Sequence, residues 1–326
     1  MKEPQLEHYT NLLLKLNRGY NKGFGRAPHK PILILAVLEQ IKKGNYSTNK
    51  IFVTPELVLS FKNHFKLLVN TGHKDNISLP FFHMRSEPFW RLVIRPGFEL
   101  RVTSSKSIKS FKNLVESVAF AEIDRDLFIL LSNPIYNEMV KTILLEHYFK
   151  STKDNLDYTK RNDLEEIIED QMLNESKLEY QTRLKDLKES LVEDDLAEEL
   201  FIRGGVFKST IPKTYDYTCC ISGMRIQSEN NAQMVDACHI IPFSVSYNDT
   251  VPNGISLSPN LHRAFDRGLI TIKDDYTVRV SPSVKDNNSV YSITQFDGQQ
   301  IILPKNIKHY PSPESLIWHN KEVYVI

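Results

Sequence analysis

The sequence predicts an α+β chain: a mixed, mainly helical N-terminal domain, a helical spacer, and a C-terminal domain of short strands and one short helix. Three observations carry this. A chain of 326 residues is longer than one ordinary core organises. Charge is segregated: residues 1–152 hold 22 Lys/Arg against 13 Asp/Glu (net +9), residues 153–200 hold 7 against 16 (net −9), and residues 201–326 hold 12 against 11 (net +1). The texture changes at the same points, which sets expected boundaries of 1–152, 153–200 and 201–326.

Composition narrows the class. With 41% hydrophobic and 25% charged residues the chain reads as soluble and globular. Its longest apolar stretch, PILILAVL at Pro31–Leu38, is far short of the roughly 20 residues that span a bilayer. The start, MKEPQLEHYT, has charges and no apolar segment, so no secretory signal is expected. Cys219, Cys220 and Cys238 do not make a disulfide framework, and a reducing cytoplasm is the simplest location. A basic N-terminal domain suits a polyanion and equally suits a merely solvated surface.

Along the chain, Pro31 is placed to open a helix over ILILAVLEQIKKG, with Gly44 as its stop. Thr54-Pro55 reads as N-cap and first residue of a second helix. Residues 78–103, rich in aromatic and β-branched types, read as strands, and 108–150 as helices. The acidic, Gly- and Pro-free stretch 153–200 reads as helices with a solvated face. Gly204–Gly205 is expected to end them. Residues 270–304 alternate as strands joined by Asp-Asp and Asp-Gly turns, and a last helix follows Pro311-Ser312-Pro313.

The segment DACHIIPFSVSYNDTVPNGISLSPNLHRAFDRG, residues 236–268, concentrates the chemistry. VDACHII reads as a strand with Asp236 and Cys238 on one face and His239 on the other. A turn-rich loop and a second short strand, ISLS, follow. Ser258 and Pro259 then open a helix, PNLHRAFD, closed by Gly268. On that helix His262 and Asp266 are one turn apart and share a face, so together they can bind one divalent cation such as Mg²⁺, Mn²⁺, Ni²⁺ or Zn²⁺. Taken alone, the pair reads first as an ordinary helix-surface His–Asp pair.

The order His239, Asn253, His262 on strand, loop and helix resembles the HNH, or ββα-metal, nuclease motif of bacterial restriction endonucleases, including modification-dependent ones. The matching residues are Asp236-Ala-Cys-His239-Ile-Ile-Pro242, Asn253-Gly-Ile-Ser-Leu257 and Leu261-His262-Arg-Ala-Phe-Asp266-Arg-Gly268. Val206-Phe207-Lys208 and Tyr215 to Gly223 resemble the strand and turn that lead into it. The resemblance spans about 200–326 and implies hydrolysis of DNA phosphodiester bonds. It makes His239 the general base, a role that suits a neutral imidazole. His262 and Asp266 would hold one divalent cation, Mg²⁺, Mn²⁺ or similar. Asn253 would orient the loop, and Arg263 and Arg267 would contact phosphates. Where many HNH nucleases carry an Asp before the base, this chain has Cys238, and Asp236 is the expected substitute ligand. The Cys-x-x-Cys pairs of zinc-bearing relatives read here Cys220-Ile-Ser-Gly223 and Ser258-Pro-Asn-Leu261, so no structural zinc is expected.

Arg26-Ala-Pro-His-Lys-Pro-Ile-Leu-Ile-Leu35, with Leu79-Pro-Phe-Phe-His-Met84 and Phe89-Trp-Arg-Leu92, resembles the N-terminal domain of phosphorothioate-DNA-binding restriction endonucleases. That resemblance implies an apolar pocket with a nearby cation for a sulfur in place of a phosphate oxygen. Sulfur is softer and less hydrated than oxygen, so an apolar wall costs less against it. Expected contacts are Arg26, His29, Lys30, Pro80, His83 and Arg85, while Phe81, Phe82, Phe89 and Trp90 also fit plain core packing. The expected protein is a cytoplasmic, metal-dependent restriction endonuclease acting on double-stranded DNA, with no membrane partner, and a homodimer would let it cut both strands. The alternatives are a DNA-binding module with an inactive HNH unit and a nuclease indifferent to modification.

Overall fold

The computed structural model describes residues 2–99, 108–158, 164–228, 233–287 and 289–326. It is mixed α and β, in two compact units: Met1–Leu164 with Leu191–Ile202, and Glu165–Ser190 with Arg203–Ile326. Among the described residues no helix is long and apolar enough to cross a membrane.

In the first unit, α1 (Lys2–Leu14) leads to a two-residue hairpin of β1 (Tyr20–Asn21) and β2 (Gly25–Arg26). Next comes α2 (His29–Lys42), buried without a break from Lys30 to Leu38. The helix starts two residues before Pro31, and Gly44 lies just past its end at φ +79°. After β3 (Lys50–Ile51), α3 (Pro55–Leu68) packs on α2. Its entry is as expected, with Thr54 Oγ1 accepting from the Leu57 N–H. There follow α4 (Ser78–His83), β4 (Trp90–Ile94), α5 (Phe111–Ser117), β5 (Val118–Ile123), α6 (Arg125–Ser132) and α7 (Pro134–Tyr148). The strands form an antiparallel sheet in the order β3–β5–β4.

Two expectations fail in this unit. Residues 78–103 are not all strand: Ser78–His83 is helical, Trp90–Ile94 alone is strand, and 100–103 lie outside the described residues. The Asn76 side chain accepts from the Ser78 and Leu79 N–H groups and so opens a helix whose first turn tolerates Pro80. Phe81 and Phe82 are then buried by a helix face. Conversely 108–150 is not all helix, because Val118–Ile123 is the central strand of the sheet. A central strand is selected by partners on both sides, which no local pattern records.

The second unit takes α8 (Leu164–Asn174) from Glu165 on, α9 (Lys177–Ser190), and α10 (Glu193–Thr214) from Arg203 on. Gly204–Gly205 does not end α10, and Val206–Lys208 are helical rather than strand. The buried face of Ile202, Val206, Phe207 and Ile211 outweighs a cost of roughly 1 kcal/mol per glycine. Then come β6 (Asp236–His239), α11 (Phe243–Ser246), β7 (Gly254–Leu257) and α12 (Pro259–Asp266). A hairpin of β8 (Ile270–Ile272) and β9 (Val278–Val280) follows, and α13 (Pro313–Glu322) ends the chain with Ser312 as its cap. The strand expected near 290–304 is reduced to one bridge, Thr277 to Gln300. Asp286 instead gathers the Ser292 and Thr294 hydroxyls, and local bonds of this kind displace a ladder.

Gly268 closes α12 at φ +65°, and a Cβ there would overlap the Val323 carbonyl oxygen. Gly268→Ala is therefore expected to destabilise the protein by at least roughly 1–3 kcal/mol, through both backbone conformation and clash. Urea unfolding checks this; a loss below about 0.5 kcal/mol would show that the terminus simply moves aside.

Candidate active site

The site is built on one antiparallel pair. β6 and β7 register Asp236 with Leu257, Cys238 with Ile255 and His239 with Gly254. The strand's alternation separates its side chains, as expected. Asp236 and Cys238 turn toward α12, whereas His239 turns toward α10 and the connecting loop.

On the α10 side the His239 ring stacks on Phe207, with centroids 3.8 Å apart and planes within 6°. Gly254 makes this possible: any Cβ there would run into Ile211 and into Phe207, whose Cζ would be 2.9 Å away. His239 Nε2 lies 2.7 Å from Asp249 Oδ1. Asp249 is buried and also accepts from the Tyr180 hydroxyl, 3.2 Å away, which in turn meets Arg203 at 3.5 Å. Burial and the Asp249 charge push the Tyr180 hydroxyl far above its ordinary pKa, so it remains a donor.

Asn253 does not face the open site. It is fully buried and makes three bonds: its Oδ1 accepts from the Ile241 N–H (3.0 Å), and its Nδ2 donates to the Ile241 and Asn248 carbonyls (2.9 Å each). The side chain thereby closes the loop between the two strands.

On the other face the helix contributes two groups, as its i, i+4 spacing requires. His262 Nε2 is 3.5 Å from Asp266 Oδ2, and its Nδ1 is 3.4 Å from Asp236 Oδ2. Cys238 Sγ donates toward Asp266 Oδ1 at 3.8 Å. Ligand atoms of Cys238, His262 and Asp266 all fall within 4.8 Å of one another. A sulfur, a nitrogen and an oxygen so gathered fit the first coordination sphere of one divalent cation. Burial pushes the Cys238 thiol well above its ordinary pKa, and Asp266 reinforces this. Arg263 and Arg267 are exposed at the helix end.

His319 of α13 supports α12 from beneath. Its ring stacks on Phe265 at 3.6 Å; Nε2 donates to the Phe265 carbonyl (3.1 Å) and Nδ1 accepts from Thr271 Oγ1 (2.8 Å). Elsewhere in the unit, Cys219 rather than Cys220 approaches Ser258, at 3.7 Å.

The first unit holds a cavity of about 590 Å³ whose lining includes His29, Lys30, Pro80, His83 and Arg85, along with Arg18. Five of the six residues expected there from sequence are thus brought together, while Arg26 is exposed and does not line it. Lys30 is buried and paired with Glu87, with Ser86 Oγ at 2.8 Å. The Arg85 guanidinium lies 3.9 Å over the Phe82 ring, and Arg18 lies 4.6 Å over Tyr148. Burial lowers the His29 and His83 pKa values, and nearby Lys30 and Arg85 lower that of His83 further. Phe81, Phe82, Phe89 and Trp90 are core residues.

Sequence reading missed Asp249, Phe207 and Tyr180 as supports of the site. Asp249 sits in YNDT, where turn chemistry hides a buried carboxylate; Phe207 was seen only as part of a strand leading into the motif, and Tyr180 carries no local signal.

The family described as HNH endonuclease matches residues 219–273. Residues 219–273, which include β6, β7 and α12, are thus similar to an HNH endonuclease domain. Among solved structures, a modification-dependent TagI restriction endonuclease is 19% identical over 37% of this chain and 38% of its own, with a TM-score of 0.27. The type IV phosphorothioation-dependent restriction endonuclease ScoMcrA is 10% identical over 78% of this chain and 94% of its own, with a TM-score of 0.33. The chain thus spans well under half of the TagI structure. Curated proteins give no match.

Two outcomes follow from this geometry. Asn253→Ala should leave the Ile241 N–H and the Asn248 carbonyl without their partners and the Ile241 carbonyl with only its Ser246 bond, costing about 2–4 kcal/mol in urea unfolding. If stability is unchanged, the loop is held by something else. Burial lowers the His319 pKa from 6.5 to about 4, so its neutral form favours the fold. A depressed histidine pKa contributes stability that is complete above pH 6.5 and is lost as pH falls toward 4, by at most about 3 kcal/mol. His319→Gln should flatten that part of the pH–stability curve; an unchanged curve would exclude His319 as its source.

Proposed function

We propose that this protein is a metal-dependent HNH endonuclease of restriction and defence that hydrolyses DNA phosphodiester bonds, with its basic N-terminal domain selecting the DNA. The observation that carries the proposal is the division of labour across β6: an imidazole with its own carboxylate on one face, a cation-binding cluster on the other. His239 takes a proton from water as the attacking oxygen forms its bond to phosphorus. Asp249 fixes the imidazole tautomer and steadies the imidazolium that results, much as a buried carboxylate does in other His-based sites. Phe207 and Asn253 hold the ring and the loop still. His262 and Asp266 hold one divalent cation, and the strand supplies a further ligand from Asp236, as the sequence leads one to expect, or from Cys238. When bound, that cation neutralises charge on the phosphate and the leaving oxygen. Arg263 and Arg267 contact flanking phosphates.

The domains act as 1–152 for recognition, 153–200 as spacer and 201–326 for cleavage, in a cytoplasmic protein that works as a homodimer on double-stranded DNA. For recognition, the cavity of His29, Lys30, Pro80, His83 and Arg85 combines an apolar wall with cations. That chemistry suits a phosphorothioate, whose sulfur is poorly hydrated, next to the remaining phosphate charge. Arg26, outside the cavity lining, is left to contact the DNA backbone. A second reading has one observation in its favour: Cys238, with its thiol pushed up, stands where a carboxylate ligand is usual, as an inactive DNA-binding module would tolerate.

Cleavage of plain, methylated and phosphorothioated duplexes of one sequence, titrated in turn with Mg²⁺, Mn²⁺, Co²⁺ and Zn²⁺, separates these readings. Wild type should cut with metal, and His239→Ala should be slower by roughly 10²–10⁴-fold, the usual weight of a general base. No metal-dependent cutting of any duplex would sink the nuclease reading. Arg85→Ala should weaken binding to phosphorothioated DNA most; equal loss on all three duplexes would leave a nuclease indifferent to modification.

A further inference from the structure

The strand ligand is the open question in the metal centre, since its usual residue is replaced by Cys238. We infer that Cys238, bound as a thiolate, is that ligand, that Asp236 orients His262 from behind, and that the resulting S/N/O set selects Zn²⁺ or Co²⁺ over Mg²⁺. This rests on the reading of the domain as a metal nuclease.

The two nitrogens of His262 face different carboxylates: Nε2 faces Asp266 at 3.5 Å and Nδ1 faces Asp236 at 3.4 Å. A metal-bound imidazole donates its other N–H to a carboxylate or carbonyl, which fixes tautomer and ring orientation. With Nε2 directed at the cluster, Asp236 is the partner of the Nδ1–H. It is therefore occupied in a supporting role.

Cys238 is two residues along on the same face of β6, and its Sγ is directed at Asp266 Oδ1 at 3.8 Å. Sulfur, imidazole and carboxylate thus meet around a single point, from a strand and from two positions on one helix. The sulfur lies 3.6 Å from the His239 carbonyl and 3.8 Å from the Asp266 carboxylate, so it sits among oxygen atoms rather than purely apolar neighbours. On binding, the S–H bond breaks, a sulfur–metal bond forms, and the proton leaves to solvent; a nearby dication deprotonates a coordinating thiol. Thiolate and carboxylate together then balance the two positive charges.

The donor set decides the metal. Mg²⁺ demands near-octahedral oxygen ligands and keeps most of its waters. Thiolate and imidazole suit Zn²⁺ and, by the same borderline softness, Co²⁺. Three protein ligands leave a position open, as in catalytic rather than structural zinc sites.

The test is spectroscopic and independent of cutting. Full-length protein stripped with a chelator is titrated with Co²⁺. Wild type should develop a sulfur-to-cobalt charge-transfer band at one equivalent, and roughly a hundredfold excess of Mg²⁺ should leave it in place. Cys238→Ser should lose the band, whereas Cys220→Ser and Asp236→Asn should keep it, with Asp236→Asn binding Co²⁺ about 10–100-fold more weakly. Because Cys238→Ser replaces a buried residue, ¹¹³Cd NMR of the wild type supplies a second measurement: a shift in the sulfur-ligated range supports the inference without any variant. Three results overturn it: Co²⁺ binding without a charge-transfer band, a band that survives in Cys238→Ser, or no Co²⁺ binding at all. Cutting by wild type with Mg²⁺ but no band removes the inference and leaves the nuclease reading standing. A band with no cutting of any duplex does the reverse.

Discussion

Everything at the site depends on the amide of Asn253. It bonds the start of the loop between β6 and β7 at Ile241 and its middle at Asn248. Without it a turn-rich segment would depend on contacts from outside the loop, such as the Tyr180 hydroxyl, to hold Asp249 against His239. An amide is the only common side chain of this size that both accepts from an N–H and donates to two carbonyls. Aspartate matches its shape and lacks the donors. The geometry of the loop is thus a hydrogen-bonding requirement before it is anything else.

From that fixed loop the two faces of β6 acquire separate environments. One face is enclosed by aromatic carbon and a buried carboxylate, and the other opens on exposed charge, with Asp266 59% and Asp236 50% exposed against 3% for Asp249. The strand's period of two keeps them apart. A base and a cation cluster placed on the same face would compete, since a cation near an imidazole opposes its taking up a proton.

The local grammar of the site was legible in the amino-acid sequence. His239, Asn253, His262 and Asp266 follow strand, loop and helix rules that operate within a few residues, and Ser258-Pro259 and Gly268 bracket α12 where expected. The cavity residues His29, Lys30, Pro80, His83 and Arg85 were also legible as a group. Long-range support was not. Phe207 was assigned to a strand because Val206-Phe207-Lys208 resembles the strand that leads into HNH motifs, yet packing keeps it in α10. β5 was hidden for a related reason: a strand between two partners is decided by them. Asp249 was masked by the turn-forming residues around it, and Cys238 was legible as a departure but not as a group aimed at Asp266.

The stacking of His239 on Phe207 has an entropic side. A free imidazole turns about its Cβ–Cγ bond, and each substrate encounter would have to arrest it again. With planes 6° apart and Asp249 holding one nitrogen, that rotation is lost once, when the protein folds. The ordering cost is then carried by the stability of the domain and drops out of the reaction barrier. A looser ring at this position would leave the fold more stable on paper and every turnover slower.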